Sequence, residues 1–331
     1  MVQKMNENIK LSIVIPTYNG SITIGEALDS IVSQIEEGVE VVISDNASTD
    51  NTPEIVKQYQ TKFNSIRYYI NSENLGGDRN HDLCVRRSRG DYVWFIGDDD
   101  KIATGGIRKV LDVISCHQNL ALVFVNCSFW NRDFTKCINE KFLSLDSDIL
   151  YDNADDYFQL IGASASLTPT IIVNRKLWIE IGNIPFDGTG WGVLCRLFYM
   201  LPGRSAYVIS TPYSIYRDAS TRHHKDGAFY KMIISLTHLI NTLPDKGYNI
   251  ITYSKVISSI LRSLPRTIFG AKVNGLKLTY NLINESISVF GKYTYFWLIC
   301  FPMLFIPNDI YRLIRLIYKA SLKRLLIMRR R

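Results

Sequence analysis

Apolar and polar positions alternate in blocks along the first hundred residues. Leu11 to Ile15 is a short, mostly aliphatic run closed by Pro16 and the turn residues Thr17, Tyr18, Asn19 and Gly20. Ile22, Leu28, Ile31 and Ile35 then recur at roughly helical spacing. Val39 to Ile43 is a second run, stopped by the polar stretch Ser44 to Asp50, after which Thr52-Pro53-Glu54 starts a helix. Proline suits that early position because its missing N–H has no partner there anyway. Ile66 to Ile70 is a third run, Asn74-Leu75-Gly76-Gly77 a loop leading into a helix through about Arg87, and Tyr92 to Ile96 a fourth run. Short continuous apolar runs suit strands buried on both faces. Strands alternating with helices of crossover length predict an α/β fold, a mostly parallel sheet with helices on both faces. In such sheets ligands sit outside the carboxyl ends of the strands. The polar clusters 17–20, 45–50, 74–80 and 98–100 should therefore share one rim.

Further along, Leu120 to Asn126 reads as another strand, Ser128 to Phe142 as a hairpin, and Ser164 to Val173 as a β-branched run around Thr168-Pro169-Thr170. After Gly227 the pattern changes. Ile233 to Leu243, Ile250 to Leu264 and Leu276 to Phe290 have the spacing of amphipathic helices. Tyr293 to Pro307 is nearly all apolar, but it is short for a membrane span and Pro302 interrupts it. The expected organisation is an α/β domain over 1–225 and a helical region over 226–331.

Composition narrows the class. Of 331 residues 47% are apolar and 21% charged, a globular balance. The net charge of +7 is that of the segment 308–331, where eight basic residues face Asp309 alone, so the rest is formally neutral. This predicts an anionic surface beside the C-terminal segment and no nucleic-acid partner. There Ile310, Leu313, Ile314 and Ile317 recur at helical spacing between Arg312, Arg315, Lys319, Lys323 and Arg324. Such a basic amphipathic helix either lies in the interface of an anionic membrane or packs on the body with its charges in water. Six cysteines form no C-x-x-C pair, and Met1 to Lys10 has no apolar segment of signal-peptide length. Both features fit a reducing cytoplasm.

Asp91-Tyr-Val-Trp-Phe-Ile-Gly-Asp-Asp-Asp100 carries the chemistry. A buried strand ends at Gly97, and three adjacent carboxylates follow. Like charges so placed repel one another. By itself this is either a solvated turn capping the helix near Thr104 or a site for a hard cation, Mg²⁺ or Mn²⁺. The shared rim adds backbone amides, helix N-termini and Arg79, a combination suited to a nucleoside diphosphate carried with its metal. No G-x-G-x-x-G follows the first strand, and the P-loop signature is missing.

Leu11-Ser-Ile-Val-Ile-Pro-Thr-Tyr-Asn-Gly20, Val42-Ile-Ser-Asp-Asn-Ala-Ser-Thr-Asp50 and Gly90-Asp-Tyr-Val-Trp-Phe-Ile-Gly-Asp-Asp-Asp100 resemble the family 2 glycosyltransferases of the GT-A fold. Asn74-Leu-Gly-Gly-Asp-Arg-Asn80 and the Gly-Asp-Asp-Asp form resemble the branch of abequosyltransferases and related O-antigen sugar transferases. The likeness is close over about the first third of the chain and looser to about Pro212. It implies an inverting, metal-dependent transferase. The donor would be a nucleotide-diphosphate sugar and the acceptor a lipid-linked saccharide, at the cytoplasmic face of the inner membrane, in surface polysaccharide assembly. By the same likeness Pro16, Thr17, Tyr18 and Asn19 line the base and ribose, and Asp45 accepts a hydrogen bond from the base. Asp78 and Arg79 approach the ribose or diphosphate, with Asn46 and Asp99 on the donor side. Asp98 and Asp100 are the metal ligands of an Asp-x-Asp motif. Relatives commonly place a catalytic base in a Glu-Asp pair at a helix start, just beyond a Phe-Asp segment like Phe186-Asp187. This chain has Gly190-Trp191-Gly192 there, which leaves Asp187 as the nearest carboxylate and Trp191 as a candidate to stack on a sugar. Thr168 is a candidate acceptor contact, and Tyr216, Arg217, Arg222, His223 and His224 are candidates to meet the diphosphate.

Two other classes compete. A nucleotidyltransferase would need a glycine-rich basic loop after the first strand, which 16–20 lacks. A membrane-associated scaffold with a decayed transferase fold is favoured by the missing Glu-Asp pair and opposed by the intact acidic triplet.

Overall fold

A computed structural model of the chain describes residues 8–162, 167–218 and 228–328, with side chains of the last helix as far as Tyr318. The chain divides into two compact units. One is drawn from Met1–Ala219 with Lys246–Tyr248, the other from Ser220–Asp245 with Asn249–Arg331.

The first unit begins with β1 (Leu11–Thr17), α1 (Ile24–Val32), β2 (Val39–Asp45), α2 (Thr52–Gln60), β3 (Ile66–Ile70), α3 (Gly77–Arg87) and β4 (Tyr92–Phe95). It continues with β5 (Lys101–Ile102), α4 (Gly106–Cys116), β6 (Leu122–Trp130), β7 (Cys137–Asn139), β8 (Ile149–Tyr151) and α5 (Ala154–Ile161). The last elements are β9 (Ile171–Asn174), α6 (Arg175–Glu180), α7 (Gly192–Met200) and β10 (Ala206–Arg217). The strands form one sheet in the order β3-β2-β1-β4-β9-β6-β10-β5, with β7 paired to β6 and β8 to β10. β3, β2, β1 and β4 run parallel, as the crossover helices require. Beyond β4 the sheet is mixed, because β9 pairs antiparallel with both β4 and β6. The hairpin expected over 128–142 is the antiparallel β6–β7 pair.

Of the four parallel strands, the inner three, β2, β1 and β4, are nearly sealed from solvent on both faces. Ile13, Val14, Ile15, Val41, Val42, Ile43, Val93, Trp94 and Phe95 are all buried. At roughly 1.5–3 kcal/mol for each fully buried large side chain, this interior holds the strand ends in place before any ligand arrives.

The second unit contains α8 (Ala228–Asn241), α9 (Ile250–Val273), α10 (Tyr280–Phe290), α11 (Phe301–Phe305) and α12 (Asn308–Met328). Its core joins Tyr230, Ile234, Leu264, Ile268, Phe290, Phe296 and Leu304. Buried Tyr230 and Ser286 share a hydrogen bond of 2.9 Å. Among the described residues no single helix is long and apolar enough to cross a membrane. The consecutive segments Phe296–Phe305 and Asn308–Tyr318 meet at a bend of 98°.

Candidate active site at the carboxyl edge of the sheet

Three polar loops are knitted together at the carboxyl ends of β1, β2 and β4. After β1, Asn19 adopts a left-handed backbone (φ 55°). Its N–H donates to Ser48 Oγ at 2.8 Å, and its Oδ1 accepts from the Thr49 N–H at 2.8 Å. The Ser21 N–H donates to Asp50 Oδ2 at 3.1 Å. Partial burial opposes the charge on Asp50, but the hydrogen bonds from Thr52 and Ser21 outweigh it and hold its pKa down to about 2. Tyr18 stands out of this frame, 49% exposed.

Behind the loops lies a buried amide network. Asn46 spends its whole hydrogen-bonding capacity inside the protein. Its Nδ2 donates to Asn74 Oδ1 at 2.7 Å and to the Gly76 carbonyl at 3.4 Å, and its Oδ1 accepts from Asn71 Nδ2 and the Leu75 N–H. Asn46, expected on the donor side, holds the 74–76 loop in shape. Asn80 donates to the Ser44 carbonyl at 2.8 Å, and its Oδ1 accepts from Ser44 Oγ and Asn71 Nδ2. Together these bonds pin the start of α3 onto the end of β2. Replacing Asn80 with Ala strands buried partners of Ser44 and Asn71, and a loss of about 1–3 kcal/mol in unfolding free energy is expected. Urea titration measures it; a loss under roughly 0.5 kcal/mol, a typical value for a surface substitution, would make the network dispensable.

Asp45 is fully buried. Its Oδ1 accepts from the Ser48 N–H at 2.7 Å and its Oδ2 from the Tyr68 hydroxyl at 2.5 Å. Burial, with Asp45 beside it, raises the Tyr68 pKa, so the phenol stays a donor. Each carboxylate oxygen keeps a second lone pair.

The acidic triplet is anchored from two sides. Thr17 Oγ1 donates to Asp98 Oδ2 at 2.6 Å. The Arg217 N–H donates to Asp100 Oδ1 at 3.0 Å, and Arg217 Nε to the Asp99 carbonyl at 2.8 Å. Asp100 is only 3% exposed. Burial, with Asp99 and then Asp98 adding to it, pushes its pKa well above the ordinary carboxylate range, against the Arg217 amide. Gly97 leaves room for this carboxylate, since a Cβ there would lie 2.5 Å from Asp100 Oδ2 and displace it. Among the described residues no three His, Cys, Asp or Glu side chains gather to hold a metal alone.

Arg217 proves to be a support. It is 7% exposed. Its guanidinium donates to the Arg132 carbonyl and Glu26 and lies 4.1 Å over the Phe134 ring. Arg222, His223 and His224 lie outside the described residues. Thr168 is half-buried and opens a turn whose Pro169 carbonyl accepts from Trp94 Nε1 and Ser214 Oγ.

Against the start of α3 lies the loop between α6 and α7. Asp187 is exposed there, and partial desolvation raises its pKa; Arg196 pulls it back, while Asp82 and Asp78 push it further up. Trp191 is 7% exposed, so its indole packs into the protein. Asp78 is half-buried and its Oδ2 accepts from the Gly190 N–H at 2.8 Å; Arg79 is exposed beside it. One turn along α3, Asp82 accepts from Trp178 Nε1 at 2.9 Å and pairs with Arg196 at 3.4 Å. Asp82 and Arg196 were not singled out from sequence. The one signal was a lone arginine inside the apolar stretch Gly192–Met200.

Residues 12–158 match the family model described as glycosyl transferase family 2. This part of the chain is a family 2 glycosyltransferase domain. The chain is similar to abequosyltransferase RfbV of Salmonella typhimurium, 29% identical over 271 residues covering 75% of this chain and 77% of that one. It is also similar to the GalNAc(5)-diNAcBac-PP-undecaprenol beta-1,3-glucosyltransferase of Campylobacter jejuni, 29% identical over 142 residues, 42% of this chain and 45% of that one. Among solved structures, S. aureus TarS 1-349 in complex with UDP-GlcNAc superposes with a TM-score of 0.62 at 16% identity, over 94% of this chain and 92% of that one. The mannosyltransferase PcManGT from Pyrobaculum calidifontis, in complex with GDP-Man and Mn2+, gives 0.54 at 15% identity, over 92% and 87%. The structural likeness places the transferase on the GT-A fold.

Proposed function

We propose that this glycosyltransferase moves a sugar, with inversion, from a nucleotide-diphosphate sugar to a hydroxyl of a lipid-linked saccharide in O-antigen or related surface polysaccharide assembly. The observation that carries the reading is the acidic end of β4. Asp98 and Asp100 are held from Thr17 and Arg217 at the same edge as the loops after β1 and β2. The activities of the Salmonella and Campylobacter relatives, as their names give them, support the pathway class and a polyprenyl-diphosphate acceptor.

Pro16, Thr17, Tyr18 and Asn19 form the donor's base and ribose side, with Asp45 behind them as an acceptor. Arg79 and Asp99 lie towards the diphosphate. The donor set fits Mg²⁺ or Mn²⁺, since it consists of hard carboxylate oxygens, and the buried Asp100 bears a repulsion that a cation would relieve. Asp98 and Asp100 would hold the ion. The bound ion supplies charge neutralisation for the departing nucleoside diphosphate. A carboxylate beside the start of α7 takes the acceptor proton. The place of action is the inner face of the cell membrane, reached through the basic and apolar surface of α12.

The test is to incubate the enzyme and Mn²⁺ with UDP-, GDP-, CDP- and dTDP-sugars, with and without an extract of lipid-linked saccharides. Nucleoside diphosphate release stimulated by the extract is expected. Pyrophosphate as the product would instead indicate a nucleotidyltransferase. No release from any sugar would leave the scaffold reading.

A further inference from the structure

We propose that Asp78 is the base that deprotonates the acceptor. The inference rests on the transferase reading above and concerns only which carboxylate serves it. The start of α7, just beyond Phe186-Asp187, brings no carboxylate of its own, because it reads Gly190-Trp191-Gly192. Asp78 reaches that place from the first turn of α3. Its Oδ2 accepts the Gly190 N–H at 2.8 Å. A Cβ on Gly192 would lie 2.9 Å from Asp78 Cγ and 3.0 Å from its Cβ. The Asp78 side chain thus fills the volume that a side chain at 192 would take, and glycine at 192 is what admits it. Asp187, by contrast, is exposed on a loop turned by the left-handed glycines Gly188 and Gly190.

The placement also suits the chemistry. One oxygen of Asp78 is fixed by a backbone amide, which orients the carboxylate, and Oδ1 keeps lone pairs for a proton. Asn46 and Asn80 pin the beginning of α3 to the end of β2, on the edge that carries Asp98 and Asp100. In the step, the acceptor oxygen forms a bond to the anomeric carbon while its proton passes to Asp78 Oδ1. The bond from the anomeric carbon to the phosphate oxygen breaks, and its electron pair leaves with the nucleoside diphosphate.

The experiment compares Asp78→Asn and Asp187→Asn, using whichever sugar nucleotide of the UDP, GDP, CDP and dTDP panel the wild-type enzyme turns over. Asparagine still accepts from Gly190, so that contact is kept. Asp78→Asn is expected to lower turnover on the order of 10²–10⁴-fold, as for a positioned acid–base group, with donor affinity unchanged. Asp187→Asn is expected to stay within about tenfold of wild type, well short of that loss. Relocation supplies a second readout. Asp78→Ala empties the volume beside Gly192, and adding Gly192→Asp puts a carboxylate back from the other side. The double variant should recover at least roughly tenfold over Asp78→Ala, one Brønsted-sized increment. Failure to recover would reduce Asp78 to a peg for Gly190 and overturn the assignment. So would near-normal turnover in Asp78→Asn, or loss of donor binding in step with turnover. If the wild-type enzyme releases no nucleotide from any sugar in the panel, the transferase reading itself fails.

Discussion

Asp100→Asn is expected to lower sugar transfer on the order of 10²–10³-fold, the usual loss when one preorganised charge-stabilising group is removed, while the fold survives. Asp100 is buried, and its carboxylate is driven above the ordinary range by burial and by Asp99 and Asp98. Removing that charge relieves repulsion in the metal-free protein. Asparagine keeps an oxygen for the Arg217 N–H, which now donates to Asp100 Oδ1. Melting temperature should therefore hold steady or rise as activity falls. The wild-type enzyme should also gain thermal stability from Mn²⁺ with a sugar nucleotide, and the variant should lose that gain. Asp98→Asn should behave alike, since an amide oxygen still accepts from Thr17. Turnover kinetics with and without EDTA, beside thermal melts, separate the effects. Both variants working at wild-type rate without a divalent ion would refute the metal reading.

Leu313→Glu combined with Ile317→Glu is expected to weaken binding to anionic vesicles by upwards of about 100-fold. Ile310, Leu313, Ile314, Leu316, Ile317 and Tyr318 are 47–65% exposed on α12. Trp297, Leu298, Ile299 and Phe305 are exposed on the segment before the bend. Buried Tyr311, whose hydroxyl donates to the Met303 carbonyl at 2.9 Å, anchors the helix, so substitutions at exposed positions leave the unit intact. An inserted leucine or isoleucine contributes about 1.5–3 kcal/mol, and each basic residue near an anionic surface about 1 kcal/mol. Two losses of this kind amount to about 3 kcal/mol or more, hence a factor of about 100. Co-sedimentation with phosphatidylglycerol-containing vesicles over a salt series checks it. Equal pelleting of wild type and variant would assign the exposed face to another partner.

The sequence was most informative where one strand end carries one chemical task. The triplet at 98–100 follows a run too apolar to be anything but buried, so its place at a strand end was legible without coordinates. The same holds for Thr17 at the end of β1. Asn46 shows the opposite case. Its neighbours in sequence are site residues, yet all four of its hydrogen bonds turn inward to Asn71, Asn74, Leu75 and Gly76. Spacing cannot say whether an amide beside a ligand loop faces the ligand or builds the loop. Arg217 and Trp191 pose the same question. Each sits in the right stretch, and burial gives each to the protein.

By itself the sequence determined the parallel half of the sheet, the shared edge and the acidic cluster. These depend on local period and on turn residues, which a linear pattern records directly. Tertiary structure alone decided that β9 turns antiparallel between β4 and β6, and that Arg217 clamps the triplet from 117 residues away. It alone brought Asp78 across 112 residues to the bare start of α7. A missing side chain at 192 reads as an absence in sequence. In the folded chain it is a volume, and what fills it depends on which distant helix packs there.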